Sequence, residues 1–258
     1  MKIAVLIKRV PDTASELQVA PDGLSVATEN LKHVMSPYDE HAVEEAILLK
    51  ESCGAGVIVL SAGPPEAKDV VRTALAMGAD EGVVINTGGL SGLTPKGTAL
   101  LLAAALRDTA PDLIFAGKQA VDDDAAQVPE RVAELMGMPH ASVITRFELS
   151  GTTATVDREI EGGQLTMEFS LPALFTTQKG VNTPRYPTLP NIMKAKRKEI
   201  KELRPEDLGL SSENLAASLE TLSMALPRQR RLCKVLEGDA ANCAGQLVRI
   251  LREEEKVL

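Results

Sequence analysis

The chain has no tryptophan, two tyrosines and four phenylalanines in 258 residues. A core of ordinary size must therefore be built almost wholly from aliphatic side chains. Cysteine is scarce: Cys53, Cys233 and Cys243 are scattered, which excludes a disulfide framework and a Cys-based metal site and points to a reducing compartment. The three histidines, His33, His41 and His140, share no ligand spacing; His41 reads as part of a solvated helix face. Basic charge is in deficit, the formal net charge being −8, which argues against long-range attraction to nucleic acid or an anionic membrane. No apolar run approaches the roughly 18 residues of a membrane span. The opening MKIAVLIKRV is too short and lacks the small-residue site of a signal peptide, so it reads as a strand. Neither GxGxxG nor GxxxxGK[ST] occurs, and a standard Rossmann or P-loop site is unsupported.

What is present is strand–helix alternation. Residues 2–7 form a near-continuous apolar strand, as in a buried parallel sheet. A hairpin-like excursion follows, with residues 17–19 and 24–26 flanking Pro21-Asp22-Gly23. Ser36-Pro37-Tyr38-Asp39 opens a helix running to about Ser52, with serine at the N-cap, proline in the first turn and aspartate three positions on. Residues 57–61 are the next strand. Gly63-Pro64-Pro65-Glu66 opens a second helix that Gly78 ends. Residues 82–85 and 113–116 are strands; 100–106 and 127–136 are helices. Four such units with short connections predict a doubly wound, mostly parallel α/β sheet with helices on both faces. After Pro139 the pattern changes to short strands at 142–148, 154–159, 165–169 and 173–177, so the end of the sheet is expected to carry antiparallel strands. Residues 203–226 are weakly patterned and 227–231 read as a linker. Residues 239–257 read as a terminal helix with Ala240, Leu247, Ile250 and Leu251 on one side, too small to fold alone. The organisation expected is one domain over 1–226 and a C-terminal arm over 227–258.

Chemistry concentrates at one edge of that sheet. Gly117, Lys118, Gln119, Ala120, Val121, Asp122, Asp123, Asp124, Ala125, Ala126, Gln127 and Val128 follow a strand and lead into a helix, the place where open α/β sheets bind ligands. Free N–H groups around Ala126, Gln127 and Val128 suit a phosphate, and Gly117 allows close backbone approach. Against this, the three aspartates suit a helix cap, oppose an anion unless their carboxylates point away, and could alternatively hold a magnesium ion beside a nucleotide. Leu6-Ile7-Lys8-Arg9, Ser36 to Asp39 and Ser61-Ala62-Gly63-Pro64 fall at the same rim. Catalytic sets are thin, and Cys53 reads as a bland thiol.

Residues 181–200, VNTPRYPTLPNIMKAKRKEI, carry no evident catalysis. Pro184, Pro187 and Pro190 forbid a regular helix and disfavour a central strand; the segment turns helix-compatible at Asn191. It reads as a stiff loop feeding a short helix with apolar tips at Leu189, Ile192 and Met193. The basic run Lys194, Lys196, Arg197 and Lys198 suits either a solvated helix end or a docking role.

Five segments in register resemble the beta subunit of electron transfer flavoprotein: the first strand into KRVPDT, SPYDEHAVEEA, RTALAMGAD at Arg72 to Asp80, GKQAVDDD at Gly117, and NTPRYPTLPNIMKAKRK at Asn182. The resemblance implies an adenine nucleotide alpha hydrolase-like fold and a non-enzymatic half of an alpha/beta heterodimer. FAD would be held mainly by the alpha subunit at the interface. AMP, a structural nucleotide, would lie against Leu6, Ile7, Ser36, Pro37, Tyr38, Asp39, Ala62 and residues 113–128. Residues 187–196 would be the partner-docking loop, with Leu189 as anchor beside Pro190, Ile192 and Met193. The lysines after it fall where some members are methylated, and the stretch from Pro227 would be an arm on the alpha subunit. Flavoprotein dehydrogenases such as acyl-CoA dehydrogenases would donate electrons and a quinone oxidoreductase accept them, as in fatty acid β-oxidation. The setting would be the cytoplasm, or the mitochondrial matrix of a eukaryote. Two positions depart from the pattern: Ser36 stands where asparagine is usual and Val128 where AMP-binding members often carry threonine. Electron-bifurcating members bind a second FAD instead of AMP; Asp123 matches the AMP type and Ala126-Gln127-Val128 the bifurcating type, while RTALAMGAD and TLPNIMKAK favour AMP. A nucleotide-binding, ATP-using α/β enzyme is the alternative from another class, and it would want a glycine-rich phosphate grip that this chain lacks.

Overall fold

The computed structural model describes residues 1–28, 31–90, 92–211, 213, 215, 219–227 and 233–258. Strand β1 (Lys2–Leu6) is buried at every position after Lys2, because it lies mid-sheet with helices on both faces. The other strands are β2 (Arg9–Pro11), β3 (His33–Met35), β4 (Gly56–Gly63), β5 (Glu81–Asn86), β6 (Leu113–Gly117), β7 (His140–Ser150), β8 (Thr153–Ile160), β9 (Gly163–Ser170), β10 (Ala173–Thr177) and β11 (Lys201–Leu203). The helices are α1 (Pro37–Cys53), α2 (Lys68–Met77), α3 (Pro95–Thr109), α4 (Val128–Met136), α5 (Leu189–Arg197) and α6 (Ala240–Arg249).

The main sheet has nine strands in the order β11-β5-β4-β1-β6-β10-β7-β8-β9. Pairing is parallel from β11 to β7 and antiparallel through β7-β8-β9; β2 and β3 form a separate antiparallel pair. Alternate side chains feed two cores. Ile3, Val5, Val57, Val59 and Phe115 pack under α1 and α2. Ala4, Leu6, Leu60, Ile85 and Ile114 pack under α3 and α4. The sheet is thus doubly wound as expected. The chain leaves β1 toward β4 and β5, then crosses back to β6, so the winding reverses beside β1. The core is aliphatic with one exception. All four phenylalanines gather on one face, Phe115 at 5.1 Å from Phe147, and Phe175 at 5.6 Å from Phe147 and 5.2 Å from Phe169.

Several boundaries follow their local chemistry. Gly54 closes α1 in the left-handed conformation (φ 71°), its N–H reaching Lys50 O at 2.9 Å. Gly78 ends α2. The excursion at Pro21-Asp22-Gly23 closes through an antiparallel bridge between Val19 and Val26. Other elements differ from the sequence reading. The helix expected at 100–106 begins earlier, at Pro95, because Thr94 caps it by accepting from Gly97 N–H at 3.3 Å. The strand at 173–177 is not part of the antiparallel end. It inserts parallel between β6 and β7, where burial on both sides suits its unbroken run of apolar and threonine side chains. Of residues 203–226, Pro205–Leu208 form a 3₁₀ turn. The linker expected over 227–231 lies, beyond Pro227, outside the described residues. Helix α6, capped by Asp239 at 2.8 Å from Asn242 N–H, buries none of its residues.

Candidate functional site

The crest formed by the C-terminal ends of β1, β4 and β6 opens into a cleft of about 310 Å³ between α3 and α4. It lies beside the strand where the winding reverses, the usual ligand position in this architecture. Of the residues expected from sequence, Leu6, Ile7, Lys8, Arg9, Asp39, Ala62, Gly63, Pro64, Ala116, Gly117, Gln119, Ala120, Asp123, Ala125, Ala126, Gln127 and Val128 line it. Ser36, Pro37, Tyr38, Lys118, Val121, Asp122 and Asp124 stand at the same crest, off the wall of the cleft. The sequence reading missed the α3 side of the wall, Leu93, Pro95, Thr98 and Leu102. Its signal was Thr94-Pro95, a cap followed by proline in the first turn.

Asp39 holds the crest together. Its carboxylate accepts the Lys8 N–H at 2.7 Å and the Gly117 N–H at 3.0 Å, joining the start of α1 to the ends of β1 and β6. The helix start expected at Ser36 is correct, yet Asp39 does not turn back to cap it, and Ser36 makes no side-chain cap. The Ser36 and Ser61 hydroxyls are buried and have no hydrogen-bond partner among the described residues. Desolvation pushes the Asp39 carboxyl up to about 7, against the two N–H donors and the nearby Lys8 charge, with Asp122 adding a smaller push upward. Gly117 is required for this contact, since a Cβ there would lie 2.4 Å from Asp39 Oδ1 and 2.8 Å from the Tyr38 carbonyl carbon.

The three aspartates do not cap α4. Asp122 and Asp123 take the Lys8 ammonium at 2.8 and 3.0 Å, and Asp124 accepts from Gln119 Nε2 at 2.6 Å. Burial disfavours the Lys8 charge, but these two carboxylates outweigh it and raise its pKa. Gln127, at the N-cap position of α4, accepts at its side-chain oxygen from Arg131 Nη2 at 2.9 Å and Nε at 3.3 Å. The helix therefore begins at the cleft wall with no side-chain cap, with Pro129 in its first turn, and its dipole and unpaired N–H groups are available to an anion. Arg9 adds a guanidinium to the wall, its buried Nε without a partner among the described residues. The wall thus joins apolar positions, Leu6, Ala62, Leu102 and Ala116, to an anion-friendly end. Among the described residues no group of His, Cys, Asp or Glu is arranged to hold a metal ion, and no helix is long and apolar enough to cross a membrane.

Tyr38 and Lys118 face elsewhere. The Lys118 ammonium lies 5.0 Å from the Tyr38 ring centroid, and the Tyr38 carbonyl accepts from Thr177 Oγ1 at 3.1 Å.

The proline-rich segment sits on the α1–α2 side. Leu189 is 78% exposed and Tyr186 94% exposed, with Ile192 and Met193 completing an apolar tip. Helix α5 starts two residues before the sequence reading placed it, because Thr188 caps it through Asn191 N–H at 3.4 Å. Its other end is tied down: Arg72 donates to the carbonyls of Ala195 and Lys196 at 3.0 and 3.1 Å, and Lys198 to those of Ala79 and Asp80 at 2.6 and 3.0 Å. Lys198 is thus a fastening, whereas Lys194, Lys196 and Arg197 occupy the last turn of the helix. His41 is not on a solvated face. It is half-buried, with Nδ1 3.1 Å from Asn182 Oδ1.

Comparison with known proteins gives one consistent result. The family model described as the electron transfer flavoprotein domain matches residues 23–208. The chain is 39% identical over 259 residues, all of both chains, to a protein of Bacillus subtilis (strain 168) named electron transfer flavoprotein subunit beta. A mitochondrial subunit beta of Arabidopsis thaliana is 40% identical over 261 residues, again all of both chains. The subunit beta of Homo sapiens is 40% identical over 233 residues, 89% of this chain and 90% of that one.

Proposed function

Since this chain belongs to the electron transfer flavoprotein family as a beta subunit, we propose that it is the non-catalytic half of a heterodimeric electron carrier. Its partner is an alpha subunit that holds most of a redox-active FAD at the shared interface. Electrons enter from flavoprotein dehydrogenases, of which acyl-CoA dehydrogenases are the candidates, and leave to a quinone oxidoreductase. The carrying observation is end-to-end similarity at 39–40% identity to proteins named as this subunit.

In this reading the cleft seats AMP as a structural nucleotide. Its volume of about 310 Å³ lies at the small end for ligand sites and suits a mononucleotide better than a dinucleotide. The apolar wall of Leu6, Ala62, Leu102 and Ala116 fits a base, and the uncapped start of α4 with Arg9 fits a phosphate. The acidic loop is no obstacle, because Lys8 and Gln119 engage its carboxylates. Val128 supplies only backbone where threonine would add a hydroxyl, at a cost of about 1 kcal/mol. The bound nucleotide supplies no electrons; it stiffens the platform. Leu189 then anchors a dehydrogenase while the flavin domain of the alpha subunit moves. The C-terminal arm, whose helix α6 buries nothing of its own, rests on the alpha subunit.

Co-expression with an alpha subunit, followed by extraction and mass identification of the bound nucleotides, tests this. One FAD and one AMP per heterodimer are expected. Two FAD would overturn the AMP assignment in favour of the bifurcating type that Ala126-Gln127-Val128 resembles. A stable homodimer hydrolysing ATP would overturn the carrier function.

A further inference from the structure

The exposed tip at Tyr186–Met193 is held by a fastening whose strength is out of proportion to a surface loop. Arg185 donates to Glu44 from its backbone N–H at 3.1 Å, from Nε at 3.1 and 3.0 Å, and from Nη2 at 2.9 Å. It also reaches Glu51 from Nη1 at 2.5 Å and from Nη2 at 3.0 Å. Glu44 and Glu51 lie seven residues apart on α1, two helical turns, so one planar fork spans both carboxylates. The Glu44 side chain is only 5% exposed; such a carboxylate is costly without its partner. Three residues earlier, Asn182 Nδ2 donates to His41 O at 3.0 Å and to Glu45 Oε2 at 2.8 Å. The chain is thus clamped along one flank of α1 immediately before it becomes free, at Tyr186. Beyond the tip, Arg72 and Lys198 clamp it again to α2 and its following turn. Between the two clamps the apolar tip has little to pack against, Ala195 being the one buried residue of α5.

We infer that the Arg185–Glu44–Glu51 fork is the positioning device of the docking loop: it fixes the direction in which Leu189 is presented, so that a partner meets a preformed anchor. The inference rests on the docking role given to Leu189 above. The physical argument is preorganisation. A loop freed at one end samples many directions, and only the competent fraction binds, so apparent affinity falls by that fraction. Arg185 touches no cofactor in this account and acts through Leu189 alone.

The test uses the intact alpha/beta heterodimer and a purified acyl-CoA dehydrogenase with its acyl-CoA substrate. Arg185→Gln, Leu189→Ala and the double variant are compared, with Glu51→Gln as the milder variant should loss of the Glu44 partner impair folding. Arg185→Gln is expected to raise the KM of the dehydrogenase for the heterodimer about tenfold, with kcat and nucleotide content unchanged. Glu51→Gln is expected to do so in smaller measure. Amide exchange across residues 186–193 should quicken in both. The double variant should be no worse than Leu189→Ala, since there is no anchor left to aim. Unchanged KM and exchange in Arg185→Gln and Glu51→Gln, with KM raised by Leu189→Ala, would overturn the positioning role and leave the docking role standing. Multiplying effects in the double variant would also overturn it. No effect of Leu189→Ala would instead remove the docking role itself.

Discussion

The carboxylate of Asp39 takes the N–H of Gly117 at 3.0 Å in a space that a single added carbon would close. The nearest atoms to that carbon, Asp39 Oδ1 at 2.4 Å, Tyr38 Cβ at 2.7 Å and the Tyr38 carbonyl carbon at 2.8 Å, include main chain, which cannot swing aside as a side chain would. Gly117→Ala is therefore expected to cost about 1–3 kcal/mol as an overpacking substitution and to lower nucleotide content. Gly56→Ala, where a Cβ meets nothing within 4 Å, is the control and should stay within about 0.5 kcal/mol of wild type. Urea unfolding midpoints of the two variants decide the matter; equal midpoints would remove the steric role of Gly117.

Asp39 also predicts a pH signature. Burial pushes its carboxyl up to about 7 in the folded chain, whereas an unfolded aspartate titrates near 4, about the model-peptide value. Between these values the folded state binds more protons than the unfolded one. The group's contribution therefore favours folding most fully below about 4 and is lost as pH rises through about 7. The stability of wild type relative to Asp39→Asn should accordingly fall as pH is raised across that window. Paired urea titrations at the two ends of the window measure it, and parallel pH curves for the two proteins would refute it.

Lys8 answers for two carboxylates at the mouth of the cleft. Lys8→Met leaves Asp122 and Asp123 uncompensated, and AMP binding by the heterodimer should weaken about tenfold at low salt, recovering in part at high salt as the repulsion is screened. Lys8→Arg should keep most of the affinity. Equilibrium dialysis at two ionic strengths reads the effect; weakening that ignores salt would point to lost packing instead.

Leu189 is largely exposed, so Leu189→Ala should leave the unfolding midpoint unmoved. Burying a leucine in a partner pocket is worth about 1.5–3 kcal/mol, which corresponds to roughly a tenfold to hundredfold rise in the KM of the dehydrogenase for the carrier. Nucleotide and flavin content should not change. An undiminished rate at limiting carrier concentration would end the anchor role.

The sequence announced what is local and hid what is distant. Pro37 and Gly78 marked helix ends correctly because a first-turn proline and a positive-φ glycine act within a few residues. The strand–helix rhythm gave the doubly wound sheet and therefore the edge at which the cleft opens. It did not reveal that Ala173–Thr177 is parallel, since strand direction depends on which neighbour pairs with it and not on its composition. Arg185 and Arg72 were likewise silent: each finds its partners more than 100 residues away, and no periodicity encodes such a meeting. The acidic triplet looked hostile to an anion because Lys8, which neutralises two of its members, is separated from them by more than 100 residues.

The insertion of β10 between β6 and β7 has a consequence for biosynthesis. Leu113 is paired with Ala173, and Gly117 with Thr177, so the centre of the sheet cannot close until the ribosome has released the chain beyond Thr177. The cleft wall, all of it encoded before residue 130, must wait for a strand made much later. Parallel, non-local pairings of this kind form slowly and leave strand edges exposed meanwhile. The nucleotide platform is therefore a late product of folding, and the N-terminal half of the chain is the part that most needs protection while it is being made.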